Sequence, residues 1–353
     1  MNSPLSLARP DLLELEPYQH AVWEPALERL HANENPWRAP GDNSLAGLNR
    51  YPEPQPQGLV RRLAELYDVP RDRVLVGRGS DEAIDLVVRA FCRAGLDGVL
   101  VLPPTFGMYK VAARIQGAAV YELVLTPAQR FAPTADDVIA HWQPTIKLVF
   151  LCSPNNPTGN AYDENMMLKV AERLAGKALI VVDEAYLEFA RRRSLARWQS
   201  QFPHLVVLRT LSKAYALAGA RCGVLIADPE IIGLLKRIIP PYAIPSLTQE
   251  IVEHVLSAPQ LIQSRARVEA LIAERERVAQ ALSSCRAVLR VYPSDANFLL
   301  VKFDDAGRAF AAAKNAGLLV RDVRRQPGLA DCLRISIGHP QQNDRLLAAL
   351  QPT

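Results

Sequence analysis

The chain has 353 residues, 49% of them apolar and 22% charged, and a formal net charge of only +4. One hydrophobic core rarely organises more than about 250 to 300 residues, so a large lobe with a smaller companion is expected. The balance excludes a disordered, charge-dominated chain, and so mild a charge gives no broad electrostatic footprint for nucleic acid.

Residues 1–30 read as an N-terminal arm, broken by Pro4 and Pro10 and acidic from Asp11, without the apolar core of a signal peptide. The segment before Tyr51 is rich in Pro, Asn and Glu and has no clear period beyond one short helix around Trp23 to Leu30. From Gly58 to about Leu235, strand-like runs alternate with amphipathic helical ones. The strands are expected at Arg73–Val76, Gly98–Leu102, Val120–Leu125, Ile146–Leu151, Ala178–Val182, Leu205–Leu208 and Gly223–Ala227. This alternation predicts an α/β fold, a mostly parallel sheet sandwiched by helices, in a large domain over 47–243. The uninterrupted apolar runs L-V-F-L and L-I-V-V predict strands buried on both faces.

Pro240, Pro241 and Pro245 mark a change of pattern. Helices follow at Ser246–Ser257 and Gln260–Ser284, then strands at Val288–Tyr292 and Ala296–Phe303, a helix at Asp305–Asn315, strands at Leu318–Val323 and Cys332–Ile337, and a helix from Gln341. These form a smaller α+β domain from 31–46 and 244–353. No apolar run reaches the roughly 18 residues that span a bilayer, so no membrane partner and a cytoplasmic location are expected. The five cysteines stand singly, without metal-ligand spacing, and no metal is expected. The basic patch Arg191–Arg193 with Arg197 lacks interleaved aromatics and reads as a solvated helical face rather than a nucleic-acid surface.

The chemistry is carried by an ordered set: S-P-N-N-P-T-G (Ser153–Gly159), V-V-D-E-A-Y (Val181–Tyr186), T-L-S-K-A-Y (Thr210–Tyr215) and A-R-C-G (Ala220–Gly223). Each follows or abuts an apolar strand, and groups just past the carboxyl ends of parallel strands converge on one crevice. That convergence suits pyridoxal 5′-phosphate (PLP). Its aldehyde needs a lysine amine that is uncharged, which makes Lys213 the candidate for a Schiff base. Its pyridine nitrogen needs a carboxylate, and Asp183 ends a buried strand. Tyr186 and Asn156 suit the ring hydroxyl. Thr210, Ser212 and Arg221 suit the phosphate, with amides of the helix opened by Gly79-Ser80-Asp81, and Phe106 suits the ring face.

Plainer readings stand beside these. Lys213 alone would be a surface lysine, Asp183 a helix cap, Asn156 a turn former, Tyr186 a core tyrosine and Arg334 an ion-pair partner. A dinucleotide fingerprint begins at Gly77-Arg78-Gly79, but Glu82 occupies the third glycine position.

The motifs taken together resemble the fold-type-I, aspartate-aminotransferase superfamily, and within it the class II family of histidinol-phosphate aminotransferases. Further pieces carry the resemblance: H-A-N-E-N-P (His31–Pro36), N-R-Y-P-E-P (Asn49–Pro54), G-R-G-S-D-E (Gly77–Glu82), P-P-T-F-G-M-Y (Pro103–Tyr109), L-V-R-D-V (Leu319–Val323) and C-L-R-I-S-I-G (Cys332–Gly338). It implies a homodimer with shared active sites, in which Tyr51 of one chain reaches the phosphate held by the other. Tyr18 and Asn33 would help close the substrate pocket, and Arg334 with Arg321 would bind the substrate's anion. It implies ping-pong transfer between L-glutamate/2-oxoglutarate and L-histidinol phosphate/imidazole acetol phosphate, in histidine biosynthesis. The alternatives on the same fold are an aromatic-amino-acid aminotransferase or a threonine-phosphate decarboxylase; outside it, a PLP-binding regulator without turnover.

Overall fold

The computed structural model describes residues 3–19, 24 and 27–351. In chain order the elements are α1 (Pro10–Leu13), α2 (Gln57–Tyr67), β1 (Val74–Gly77), α3 (Ser80–Phe91), β2 (Gly98–Val101), α4 (Met108–Gln116), β3 (Ala119–Glu122), α5 (Ala135–His141) and β4 (Ile146–Cys152). There follow α6 (Glu164–Arg173), β5 (Leu179–Asp183), β6 (Leu205–Thr210), β7 (Gly223–Ile226), α7 (Pro229–Ile238), α8 (Ser246–Val255) and α9 (Ala258–Ser283). The last are β8 (Val288–Val291), β9 (Phe298–Phe303), α10 (Ala306–Asn315), β10 (Arg321–Asp322), β11 (Cys332–Ser336) and α11 (Pro340–Leu350).

Seven strands make one sheet in the order β1-β7-β6-β5-β4-β2-β3. All are parallel except β7, which runs antiparallel to both neighbours, β1 and β6. Pleating sends alternate side chains to opposite faces. Along β5, Leu179 and Val181 enter the core shared with α3, α4 and α7, whereas Ile180 and Val182 enter the core shared with α2, α5, α6 and α8. Both β4 and β5 are therefore apolar at successive positions, and every residue of β5 is buried. A second, antiparallel sheet, β10-β11-β9-β8, has its own core against α9, α10 and α11. A small cluster containing Tyr186, Phe189, Ala214, Ile272 and Phe298 packs where the two sheets meet.

Some expectations change. β10 is only two residues long where six were expected, because Leu319 and Arg321 lie exposed at a sheet edge and Asp322 turns the chain by accepting the Arg324 amide at 3.0 Å. Arg191–Arg193 lie in a loop, not on a helix; Arg191 pairs with Glu269, and Arg197, in a short 3-10 turn, pairs with Glu164. Helix α8 packs on α2, so its Val252 joins the core of the large sheet. The short helix expected around Trp23–Leu30 begins outside the described residues, and residues 27–30 are not helical. Among the described residues, no helix is long and apolar enough to cross a membrane.

Candidate active site

Strands β4, β5 and β6 are parallel and end side by side at Cys152, Asp183 and Thr210. A cavity of about 550 Å³ opens beyond those ends. It is lined by Ser80, Asp81, Phe106, Asn156, Asp183, Tyr186, Thr210, Ser212, Lys213, Arg221, Arg321 and Arg334, which are twelve of the residues singled out from the sequence. The fold gathers them from five loops and from the antiparallel sheet. The other three do not line it: Tyr18 and Asn33 are exposed, and Tyr51 is half exposed and stacked on Tyr242 with ring centroids 4.6 Å apart.

Lys213 lies three residues past β6, its Nζ 5.8 Å from the centre of the Tyr186 ring. Burial lowers its pKa from the ordinary lysine value, helped by the Arg334 and Arg221 guanidinium groups and opposed by Asp81 and Asp183. Asp183 is 3% exposed, and burial pushes its carboxyl up to about 6. Two donors work against that push: the Tyr109 hydroxyl, 2.7 Å from Oδ2, and the Ala185 amide, 3.1 Å from Oδ1. The second bond turns the chain after β5, but the 3-10 turn that follows, Leu187–Phe189, is flanked by Tyr186, so Asp183 is not the helix cap weighed from sequence.

Asn156 sits between two groups. Its Nδ2 donates to the Tyr186 hydroxyl at 3.4 Å, and its Oδ1 accepts from Arg334 Nη1 at 2.5 Å. Arg334 faces Arg321 directly across the β10–β11 ladder and packs over the Phe298 ring at 5.2 Å. Its Nε is buried without a partner, and no carboxylate pairs with it among the described residues, so the ion-pair reading of Arg334 does not hold. At the other side, Arg221 adopts φ +52 and reaches Asp81 at 3.3 Å beside the Gly79-Ser80 turn. This turn is built for close approach. A Cβ on Gly223 would stand 2.4 Å from the Gly79 carbonyl carbon and 2.5 Å from the Ser80 nitrogen, and one on Gly79 would meet Arg221 Nη2 at 2.8 Å. The first amides of α3, which have no intrahelical acceptors, thus lie beside a guanidinium group, and the Thr210 and Ser212 hydroxyls, themselves 3.0 Å apart, line the same cavity.

Sequence reasoning missed Tyr109, the buried partner of Asp183, although its position three residues after Phe106 on an apolar helix face signals a hydroxyl in need of a partner. It also missed Gln326 and Val323, which line the cavity from the chain following β10.

The sequence profile described as "Aminotransferase class I and II" matches residues 29–350. The chain belongs to that family. A class I and II aminotransferase is a PLP-dependent transaminase, and this chain is one. It is 48% identical to a histidinol-phosphate aminotransferase of Stenotrophomonas maltophilia (strain R551-3), over 98% of this chain and 96% of that one. Among solved structures it is similar in fold to the histidinol-phosphate aminotransferase from Clostridium acetobutylicum, with TM-score 0.78 and 22% identity over 86% of this chain and 90% of that one. The enzyme of that name from Sinorhizobium meliloti, solved in complex with pyridoxal-5′-phosphate, gives TM-score 0.75 and 24% identity, covering 86% and 82%.

The residues present fit the cofactor. The cavity joins an amine of lowered pKa, a buried acid, and a cradle at Gly79 and Gly223 that side chains would fill. Among the described residues no cluster of His, Cys, Asp and Glu could hold a metal ion.

Proposed function

We propose that this transaminase exchanges the amino group between L-glutamate/2-oxoglutarate and L-histidinol phosphate/imidazole acetol phosphate, in histidine biosynthesis. The carrying observation is one cavity lined by the Lys213 amine, the Asp183 acid and a pair of facing guanidinium groups, Arg321 and Arg334. Each substrate presents an anion, a carboxylate in one half-reaction and a phosphate in the other. A planar guanidinium grips either with two parallel hydrogen bonds, and the unpartnered Nε of Arg334 is free to make one of them.

When bound, PLP supplies the electron sink and carries the amino group between the two half-reactions. The chain's residues supply the rest. Lys213, its amine favoured in the neutral form by burial and by two arginines, is the base that takes the substrate's Cα proton and returns it. Asp183 holds a proton at the ring nitrogen, and Tyr186 and Asn156 orient the ring oxygen. Thr210, Ser212, Arg221 and the amides at Ser80 and Asp81 anchor the phosphate, while Phe106 covers a ring face. Asn156 also ties Arg334 to this frame, so the anion is gripped at a fixed place relative to the reacting carbon.

The working enzyme is a cytoplasmic homodimer in this reading. Leu30, Trp37 and Leu45 are 96%, 77% and 84% exposed in the single chain, apolar surface that a partner would cover. Tyr51, Tyr18 and Asn33, outside the chain's own cavity, would serve sites completed across that interface. Titrating purified enzyme with histidinol phosphate, phenylalanine and phosphothreonine while following the cofactor spectrum tests the substrate. A clear preference for either of the last two overturns it.

A further inference from the structure

We propose that Tyr109 is a positioning residue that decides where the shared proton rests between Asp183 and the pyridine nitrogen of the cofactor, through the hydrogen bond it donates to Asp183. The inference builds on the reading of Asp183 given above and deepens it.

Geometry leaves the Tyr109 hydroxyl little freedom. The residue lies in the first turn of α4 and is 0% exposed. Its ring stacks on Phe150 with centroids 4.7 Å apart and 10° between planes, and meets Phe106 edge-on at 5.6 Å. These contacts hold its oxygen 2.7 Å from Asp183 Oδ2. Burial pushes the phenol well above its ordinary pKa, so it remains a protonated donor. Phe106, Tyr109 and Phe150 thus form one aromatic block in which the residue suited to the ring face also buttresses the acid's partner.

A carboxylate and a pyridine nitrogen that share one proton have two arrangements. In one the oxygen is charged and the nitrogen protonated; in the other the acid is neutral and the nitrogen bare. Only the first lets the ring accept an electron pair readily, and hydrogen bonds donated to the carboxylate stabilise only the first. The groups around Asp183 are unevenly matched. Asp81 from α3 and Glu184, the residue after β5, both favour the protonated acid. Cys152 from β4 carries a thiol pushed up by burial and stays neutral, and Lys213 after β6 has a lowered pKa of its own. The Tyr109 hydroxyl and the Ala185 amide are the donors that oppose burial. The amide is fixed backbone, so Tyr109 is the side chain that tips the balance.

The test is Tyr109→Phe, which removes one oxygen and keeps the ring. In apoprotein with carbon-13-labelled aspartate, the Asp183 carboxyl should titrate about one pH unit or more above its wild-type value, as loss of a hydrogen bond to a charged group implies. In holoenzyme loaded with nitrogen-15-labelled cofactor, the ring-nitrogen resonance should move toward its unprotonated position, and turnover should fall by about tenfold to a hundredfold. A lowered melting temperature with both resonances unmoved would make Tyr109 a core residue only and end the proposal. If Tyr109→Phe does not fold, 3-fluorotyrosine at position 109, a stronger donor, should shift both signals the opposite way, and no shift refutes it. Protein that binds no cofactor at all would sink the reading of the site, while the aspartate titration would still decide whether Tyr109 governs Asp183.

Discussion

Replacing Asp183 by Asn should make the cofactor-free protein more stable while disabling the enzyme. The side chain is fully enclosed, and its carboxyl is raised from 3.8 to about 6 in the folded chain. The folded state therefore holds this proton more tightly than the unfolded state does. Stability contributed by the group is undiminished below about pH 4, falls as pH rises through the interval to about 6, and stays reduced above it. At about 1.4 kcal/mol for each pH unit of that gap, ionising Asp183 costs the apoprotein about 3 kcal/mol at neutral pH. Asparagine keeps the shape and carries no charge, and the Tyr109 hydroxyl can rotate to accept from its amide. Denaturant melts of wild-type and Asp183→Asn apoprotein should diverge as pH rises from about 4 to about 8, with the variant the more stable by up to about 3 kcal/mol. Adding PLP should reverse the order, because only the carboxylate rewards a protonated ring. Parallel melts across that range would refute the claim that the fold forces a charge into this position.

Lys213→Ala should still bind PLP through the phosphate cradle but lose transamination, and reductive trapping with borohydride should leave no covalent label on the chain. For Arg334→Lys we expect affinity for both glutamate and histidinol phosphate to drop by roughly tenfold to a hundredfold, since an ammonium cannot make the two parallel bonds of a guanidinium; steady-state kinetics with each substrate measures this. Gly223→Ala drives a methyl group against the Gly79-Ser80 backbone, so PLP dissociation should quicken and the melting temperature fall by an amount matching about 1–3 kcal/mol.

The large sheet was legible because its strands leave local marks. Runs such as Leu148–Leu151 and Leu179–Val182 are apolar at consecutive positions, and the structure places a strand at all seven expected runs, with ends within two residues except for β3, which stops three residues short at Glu122. The loop motifs were legible for a related reason: Asn156, Asp183, Lys213 and Arg221 each follow or adjoin such a run, so topology alone brings them to one crevice. What the sequence hid depends on contacts between distant segments. Tyr109 and Asp183 lie 74 positions apart, and although its helix face marks the Tyr109 hydroxyl as needing a partner, nothing local names Asp183 as that partner. The same holds for Val252, whose burial against the large sheet no helical period could foretell, and for the shortness of β10, which follows from having a neighbour on one side only.

Arg321 and Arg334 stand opposite each other on adjacent strands with no acid between them among the described residues. Like charges so placed repel, and an anion bridging them removes the repulsion. Phosphate or sulfate in a buffer has the same attraction for that gap as the substrate does. Kinetic comparisons among amino donors should therefore be run in zwitterionic buffer at matched ionic strength, or the medium will act as a silent competitor and flatten the selectivity being measured.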